Sequence, residues 1–471
     1  MKRRKQRSGP EQIIENLQVL EMVAEGKCLA RHEGQVVFIE GAAPGDVVDV
    51  RVFRHKKNFL EGQPVRFHSY SPQRTTPFCE HFGTCGGCKW QHLDYDAQLQ
   101  FKHKQVQDSL ERIGGLELPP LRPILASEQT TYYRNKLEYT FADRRWLTAE
   151  QVQSGLAVER KGLGFHIPGR FDKILDIRHC YLQPDPSNAI RLEIRRYALE
   201  RGLEFNDPVK QRGFLRNLII RTANSGDVMV IVQLFHDDEG ERPALLAHLQ
   251  ATFPEITSLH YVINNKGNET FHDLEVHCVH GEPFITERME DLQFRIGPKS
   301  FYQTNAEQAY LLYRVAREMA ALGGQELVYD LYTGTGTIAN FVARQARRVV
   351  GLEYVEMAVA DARINSQING ITNTEFYAGD MKKLLTAGFP AQHGHPDVVI
   401  TDPPRAGMDP EVVEMLRQMA PQRIVYVSCN PATQARDLAL LNDAYRVTAV
   451  QPVDMFPHTH HVENVVALEK R

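Results

Sequence analysis

The stretch "VYVSCNPAT", Val425 to Thr433, is a β-branched and aromatic run broken off by Ser428, Cys429, Asn430 and Pro431. The run reads as a buried strand, which puts Cys429 at a strand's carboxyl end, where open α/β sheets keep their ligands. A thiol there is either one more small buried hydrophobe or a nucleophile. Two nearby segments carry further reactive groups. "TDPPRAGMD" places Asp402 before Pro403, Pro404 and Arg405, and "DMFPHTHHVENVVAL" offers His458, His460, His461 and Glu463 ahead of a final strand. Three histidines would suit a metal, but no spaced acidic cluster accompanies them. Separately, "FCEHFGTCGGCKWQH" spaces Cys79, Cys85 and Cys88 as C-x5-C-x2-C, and Cys180 lies far downstream in "DIRHCYLQ". Four thiolates can hold zinc or an iron–sulfur cluster, and spacing alone does not choose between them. His81 is an alternative ligand inside that loop; Cys28 and Cys278 have no partner in the pattern and read as packing residues.

The elements that must position these groups are regular from Glu326 onward. "ELVYDLY", "RRVVGLEY", "TEFYAGD", "PDVVITDPP" and "RIVYVSC" are short apolar runs separated by helical or loop stretches, an alternation that predicts a doubly wound α/β domain. "YDLYTGTGTIANF" ends its first strand near Asp330 and turns through Tyr332, Gly334 and Gly336 into a helix. A glycine-rich turn alone is a weak signal. Glu353 strengthens it, because a carboxylate ending the second strand can bind both hydroxyls of a ribose. Asp380 ends the third strand, where it can face an adenine amino group, and no pyrophosphate-binding lysine appears. Together these favour S-adenosylmethionine over a dinucleotide.

The acceptor follows from the nucleophile. Amino-directed methyltransferases carry an aromatic after Asp/Asn-Pro-Pro, and here Arg405 stands in that place. Carbon 5 of a uracil is too weak a nucleophile to take a sulfonium methyl unaided. A thiolate adding to carbon 6 creates an enolate that can, and a separate base must then remove the carbon 5 proton. Cys429 and the His458–Glu463 segment supply that pair of roles.

At 471 residues the chain calls for two or three domains, and 42% apolar with 24% charged residues is a globular composition. No apolar stretch approaches bilayer length, and the basic start "MKRRKQRSGP" lacks the apolar core of a secretory signal; it reads as a solvated tail or an arm touching phosphates. Cysteine usage suits a cytoplasmic protein, and a net charge of −4 leaves nucleic-acid binding to a local patch. One such patch is "RVFRHKKNFLEGQPVRFH", Arg51 to His68, with Phe53, Phe59 and Phe67 interleaved. It falls within residues 11–71, where three or four strands at turn-broken spacing predict a small OB-like barrel, for RNA binding or only for packing. Residues 72–290 read as mixed α+β, opening with a helix over 95–115 whose apolar positions are Leu99, Val106, Leu110 and Ile113. Residues 291–471 form the α/β domain.

"SCNP", "DPPRAG", "SFYQTN", "YRNKLEY" and "FPHTHHVE" together resemble the RNA (uracil-5-)-methyltransferases, across nearly the whole chain. The barrel start is similar to the TRAM domain of many members. The resemblance implies a class I S-adenosylmethionine-dependent methyltransferase domain with Cys429 as nucleophile and Glu463 as general base. Gln303, Tyr332, Gly334, Gly336, Glu353, Asp380 and Asp402 would line the S-adenosylmethionine site. "YTGTGT" departs from relatives with a cysteine among these glycines, leaving loop details open. Cys79, Cys85, Cys88 and Cys180 would hold a four-iron four-sulfur cluster, whose role is to shape the central domain. The radical S-adenosylmethionine spacing has a shorter first gap, which disfavours radical chemistry. The implied substrate is 23S ribosomal RNA, acted on by a monomer with no membrane partner. Transfer RNA is the second substrate reading, and a non-catalytic RNA-binding assembly factor is the reading of another class.

Overall fold

The computed structural model describes residues 12–386 and 388–471; the basic start lies outside them. Its first body is a six-stranded sheet built from Gln12–Gln18, Val47–His55, Phe59–Ser69, Gln35–Ile39, Cys28–His32 and Glu21–Met22, in that spatial order. This is more strands than the turn pattern predicts, because the first segment and a two-residue bridge also pair. Strand Val47–His55 shifts register three times against Phe59–Ser69, bending the pair into a closed core around Val37, Ile39, Val48 and Val50. Gly62 permits that approach, since a Cβ there would stand 2.4 Å from Val50 Cγ1. On the outside Phe53 is exposed, and Phe67 stacks on exposed Tyr70 at 4.9 Å with Arg74 above it. Trp90 and Leu93, just past the cysteine turn, plug this core.

The middle body is a seven-stranded sheet ordered His277–Gly281, Ile256–Ile263, Val228–Leu234, Leu215–Thr222, Lys136–Ala142, Gly162–Ile167, Arg170–Asp176. Leu218, Ile220, Val230 and Val232 face helices Ser187–Glu200 and Glu241–Thr252. The opposite pleat, Ile219, Met229 and Ile231, joins a core shared with helix Ala306–Ala320 and the last sheet. Cys278 is exposed on the edge strand, not packed as its lack of a partner suggested; Cys28 is buried. Among the described residues no helix is long and apolar enough to cross a membrane.

The last sheet has seven strands: β1 (Leu327–Leu331), β2 (Arg348–Glu353), β3 (Thr374–Ala378), β4 (Val398–Thr401), β5 (Arg423–Ser428), β6 (Tyr445–Val453) and β7 (Glu463–Lys470). Their spatial order is β3-β2-β1-β4-β5-β7-β6, with β7 antiparallel to both neighbours. This is the class I methyltransferase arrangement, with its switch point between β1 and β4, where ligands bind.

Helix Tyr95–Asp108, which continues as a wider turn over Ser109–Ile113, packs Val106 and Leu110 against Ala435 and Leu438 of helix Pro431–Leu441. The widened turn rotates the stripe and leaves Ile113 57% exposed. Lys102 of this helix is fully buried and donates to Asp454 at 2.6 Å and to the Phe456 carbonyl at 3.0 Å. Asp454 also accepts from Tyr95 at 2.8 Å, so its charge is shared among fixed donors.

Removing one member of such a pair strands the other's charge out of water, a loss of about 3–5 kcal/mol. Lys102→Met is therefore expected to lower the thermal midpoint more than Lys102→Met/Asp454→Asn, which retains an acceptor for Tyr95 without the charge. Calorimetry of the two variants checks the order.

Candidate active site

Three residues of the first turn share a left-handed region: Tyr332 (φ 62°), Gly334 (φ 56°) and Gly336 (φ 76°). Gly336 has no alternative, since a Cβ there would lie 2.8 Å from Ala362 Cβ as the following helix packs down. Asp330, wholly buried, accepts from Thr333 and braces the turn. Glu353 at the end of β2 accepts from Gly334 N (3.1 Å) and Val355 N (2.9 Å), locking the turn to the second strand. Asp380, following β3, caps helix Met381–Leu384 by accepting from Lys382 N at 3.0 Å. These carboxylates line up along the strand ends as the sequence order required.

Cys429 follows β5, and Asn430 behind it caps helix Pro431–Leu441 and donates to the Arg405 carbonyl at 3.1 Å. Thr433 Oγ1 donates to the same carbonyl at 3.2 Å, so the Asp402–Arg405 loop and the Cys429 loop are stapled together. The last pair of the β5–β7 ladder is Ser428 with Asn464. Cys429 and Glu463 adjoin that pair in sequence, and the Glu463 charge acts on the Cys429 thiol. Asn464 holds that register through Gln434, which it meets at 2.7 Å.

The electrostatics are those of a dry, acidic space. Burial, then the neighbouring Asp402 charge, pushes the Glu463 carboxyl up to about 8. Burial raises Asp402 to about 7. The Cys429 thiol is pushed up to about 12 by burial first, then by Glu463 and Asp402, with Arg405 opposing. Tyr313 is buried near them, and burial first, then the Asp402 charge, holds its proton on. Asn135 reaches the backbone of the same loop at Gln303 O, 3.0 Å away.

The histidines take a different place. Gln98 clamps His458 by accepting from its N–H at 2.8 Å and meeting Nδ1 at 3.2 Å. The His458 carbonyl in turn accepts from both Lys89 N and Trp90 N at 2.9 Å. His460 and His461 are pushed down to about 3 and 4 by burial first, then by cations that include Lys89 and Arg405. They are neutral at physiological pH. Sequence reasoning missed Gln98, Lys102, Asp454 and Tyr313, which sit on ordinary helical or loop patterns.

Cys79, Cys85, Cys88 and Cys180, far apart in sequence, line one cavity of about 200 Å³ with Leu137, Phe165 and Ile177. Burial raises all four thiols, Cys85 to about 12 and Cys88 to about 11. His81 lines it too, but its Nε2 accepts from Arg178 N at 3.0 Å. Among the described residues no group of three His, Cys, Asp or Glu side chains is disposed to hold a metal ion, the histidine segment included.

Comparison with known proteins agrees with this geometry. Residues 274–471 match the tRNA (uracil-5-)-methyltransferase family model, and residues 14–65 match the TRAM domain. An RNA methyltransferase of Bacteroides thetaiotaomicron is 57% identical over 96% of this chain and 100% of its own length. One from Chlorobaculum tepidum is 40% identical over 97% and 96%. The crystal structure of Pyrococcus abyssi tRNA (uracil-54, C5)-methyltransferase in complex with S-adenosyl-L-homocysteine superposes with a TM-score of 0.73 at 29% identity, covering 96% of this chain and 100% of that one. With relatives this similar along its whole length, the chain belongs to the S-adenosylmethionine-dependent RNA (uracil-5-)-methyltransferase family.

Proposed function

We propose that Cys429 and Glu463 carry out uridine methylation as nucleophile and base. The observation that supports this reading is that the β5–β7 ladder ends one residue short of both groups, and the buried Glu463 carboxyl raises the Cys429 thiol. As thiolate, Cys429 forms a carbon–sulfur bond to carbon 6 of the uracil, and the electron pair moves to the enolate. Carbon 5 takes the methyl group, and the sulfonium leaves as neutral thioether. Glu463 removes the carbon 5 proton, the 5,6 double bond re-forms, and Cys429 departs as thiolate. The uracil must leave its stack to reach the thiol, so a loop or flipped nucleotide is the target.

For the methyl donor, Glu353 retains lone pairs beyond those used by Gly334 and Val355, enough to accept ribose hydroxyls. Asp380, Gln303, Tyr332 and Asp402 surround the remaining strand ends. Gly334 supports the same reading, because nothing lies within 4 Å of where its Cβ would be. A sulfonium cation bound there would offset the acidic field that keeps Cys429 protonated.

The four-cysteine cavity fits a four-iron four-sulfur cluster by its donor set: thiols arranged around a space rather than at one point, with apolar walls. When bound, such a cluster would supply a rigid cross-link among these loops, and the polar mechanism routes no electron through it.

We take 23S ribosomal RNA as the substrate, on the cysteine set. The barrel does not decide the matter, because the Pyrococcus tRNA enzyme aligns with nearly the whole of this chain; that alignment favours transfer RNA as the second reading.

Labelled methyl transfer into separated ribosomal and transfer RNA from cells lacking the gene is expected to yield 5-methyluridine in large-subunit RNA. Label confined to transfer RNA would keep the mechanism and exchange the substrate. RNA containing 5-fluorouridine is expected to form a denaturation-resistant adduct that Cys429→Ala abolishes; an adduct surviving in that variant removes Cys429 as nucleophile. Because Glu463 and Asp402 raise the thiol, Glu463→Gln should speed iodoacetamide labelling of Cys429 severalfold at pH 8, read peptide by peptide by mass spectrometry. With base and nucleophile both shifted upward, kcat/KM should climb with pH through about 8. Anaerobically purified protein should carry about four iron atoms per chain, and zinc in their place would sink the cluster assignment.

A further inference from the structure

A second concave site lies on the central sheet, with a lining that shares no residue with the cysteine cavity. It is a groove of about 710 Å³ between the turn of hairpin Gly162–Asp176, a loop over 206–211 and a loop over 264–269. Arg170, Arg216, Gln211 and Phe171 line it, with a single carboxylate, Glu269, already paired to His166 at 3.2 Å. Phe171 is 70% exposed at the hairpin turn, an aromatic face held out from the core.

The groove's framework is fixed rather than loose. Arg216 donates to the carbonyls of Asn264 (2.6 Å), Lys266 (2.7 Å) and Asn268 (2.6 Å), which holds the 264–269 loop against the sheet. Beneath it, Thr140 meets His166 at 3.3 Å and accepts from Asn217 at 3.1 Å. Asn217 is in register with both Thr140 and Gln233. Arg216 Nε, Asn217 Oδ1 and Gln233 Nε2 are buried without a hydrogen-bond partner among the described residues. Of these only Arg216 lines the groove, so its Nε is the unpaired donor that a ligand or its waters could complete.

The same pleat leads to the catalytic cleft. Lys136, Glu138 and Thr140 share one face of their strand, opposite Arg221, Ile219 and Asn217. At the near end Arg221 donates to the carbonyls of Gly297 and Ser300, and Asn135 to that of Gln303. From Asn135 to Thr140 the strand advances about 17 Å, the length of about five stacked nucleotides.

We propose that this groove is a second RNA subsite, holding substrate strand about five nucleotides or fewer from the methylated uridine, with Phe171 stacked on a base and Arg170 beside the backbone. It rests on the reading above only in taking RNA as substrate. Cations with an exposed aromatic are the combination that single-stranded RNA uses, and the pairing of Glu269 leaves no unopposed carboxylate in the lining to repel phosphate.

The test is photo-cross-linking of the full chain to two transcripts containing 4-thiouridine, a large-subunit ribosomal RNA fragment and a transfer RNA, with the cross-linked peptides identified by mass spectrometry. A cross-link within residues 162–176 from either transcript is expected. Arg170→Ala/Phe171→Ala should then raise KM for that transcript about fivefold or more, the low end for one stacked base, with kcat unchanged. Cross-links confined to cleft peptides, or an unaltered KM, overturn the proposal. The cross-link is read on the unaltered chain, so it stands even if the variant fails to fold. Absence of 5-methyluridine from both transcripts would instead count against the catalytic reading, because cross-linking needs no turnover.

Discussion

The site depends on one strand pairing. β7 returns antiparallel to β5, and a slip of a single residue would turn Glu463 to the other face of the sheet. The Asn464–Gln434 contact guards against that slip, since both side chains are fully buried and Gln434 also donates to the Tyr426 carbonyl at 2.9 Å. What the pairing brings together is mutually repulsive. Asp402 makes ionisation of Glu463 harder, and both carboxyls make ionisation of the Cys429 thiol harder. The resting state of such a cluster holds protons that the proposed reaction must move.

The segment that delivers Glu463 is not held by its own sheet alone. Its backbone passes through a left-handed residue, His458 (φ 63°), a conformation a bulky side chain adopts only where its surroundings impose it. Gln98 imposes it from one side and the Lys89–Trp90 amides from another, while Tyr133 donates to the Pro457 carbonyl at 3.0 Å. Lys102 and Asp454 then anchor the start of the segment. All these partners come from residues 89–133, directly after the cysteine turn. The cysteine cavity and the carboxyl-bearing strand are thus joined by a few backbone hydrogen bonds, and whatever orders the cysteine turn also orders the approach to Glu463.

The α/β half was legible because its period and its turn chemistry agree: buried runs, a glycine turn, and carboxylates at successive strand ends. The position of Cys429 was legible for the same reason, as a thiol where a strand stops. Gln98 and Lys102 were not. On a helix of mixed polarity they look like solvated positions, and only partners more than 350 residues away convert them into buried anchors. The barrel's extra strands escaped notice because one pairs through a bulge around Asn16 (φ 54°) and another is two residues long, neither leaving an alternating pattern. Ile113 kept its helical spacing but lost its burial when the helix widened. Long-range satisfaction of polar groups is the part of a fold that local pattern cannot carry.

A polyanion must nevertheless reach this acidic interior. The field is not acidic throughout: Asp402 acts on Glu463, whereas Lys89, Arg134 and Arg405 act on His461. His460 and His461 stay neutral in that setting. Burial does most of this, with the cations adding to it. Such cations can pair with a phosphate backbone, while an uncharged base is the part of a nucleotide that can approach the carboxyls without an electrostatic penalty. On the proposed reading, that contrast favours an extruded base over an intact strand.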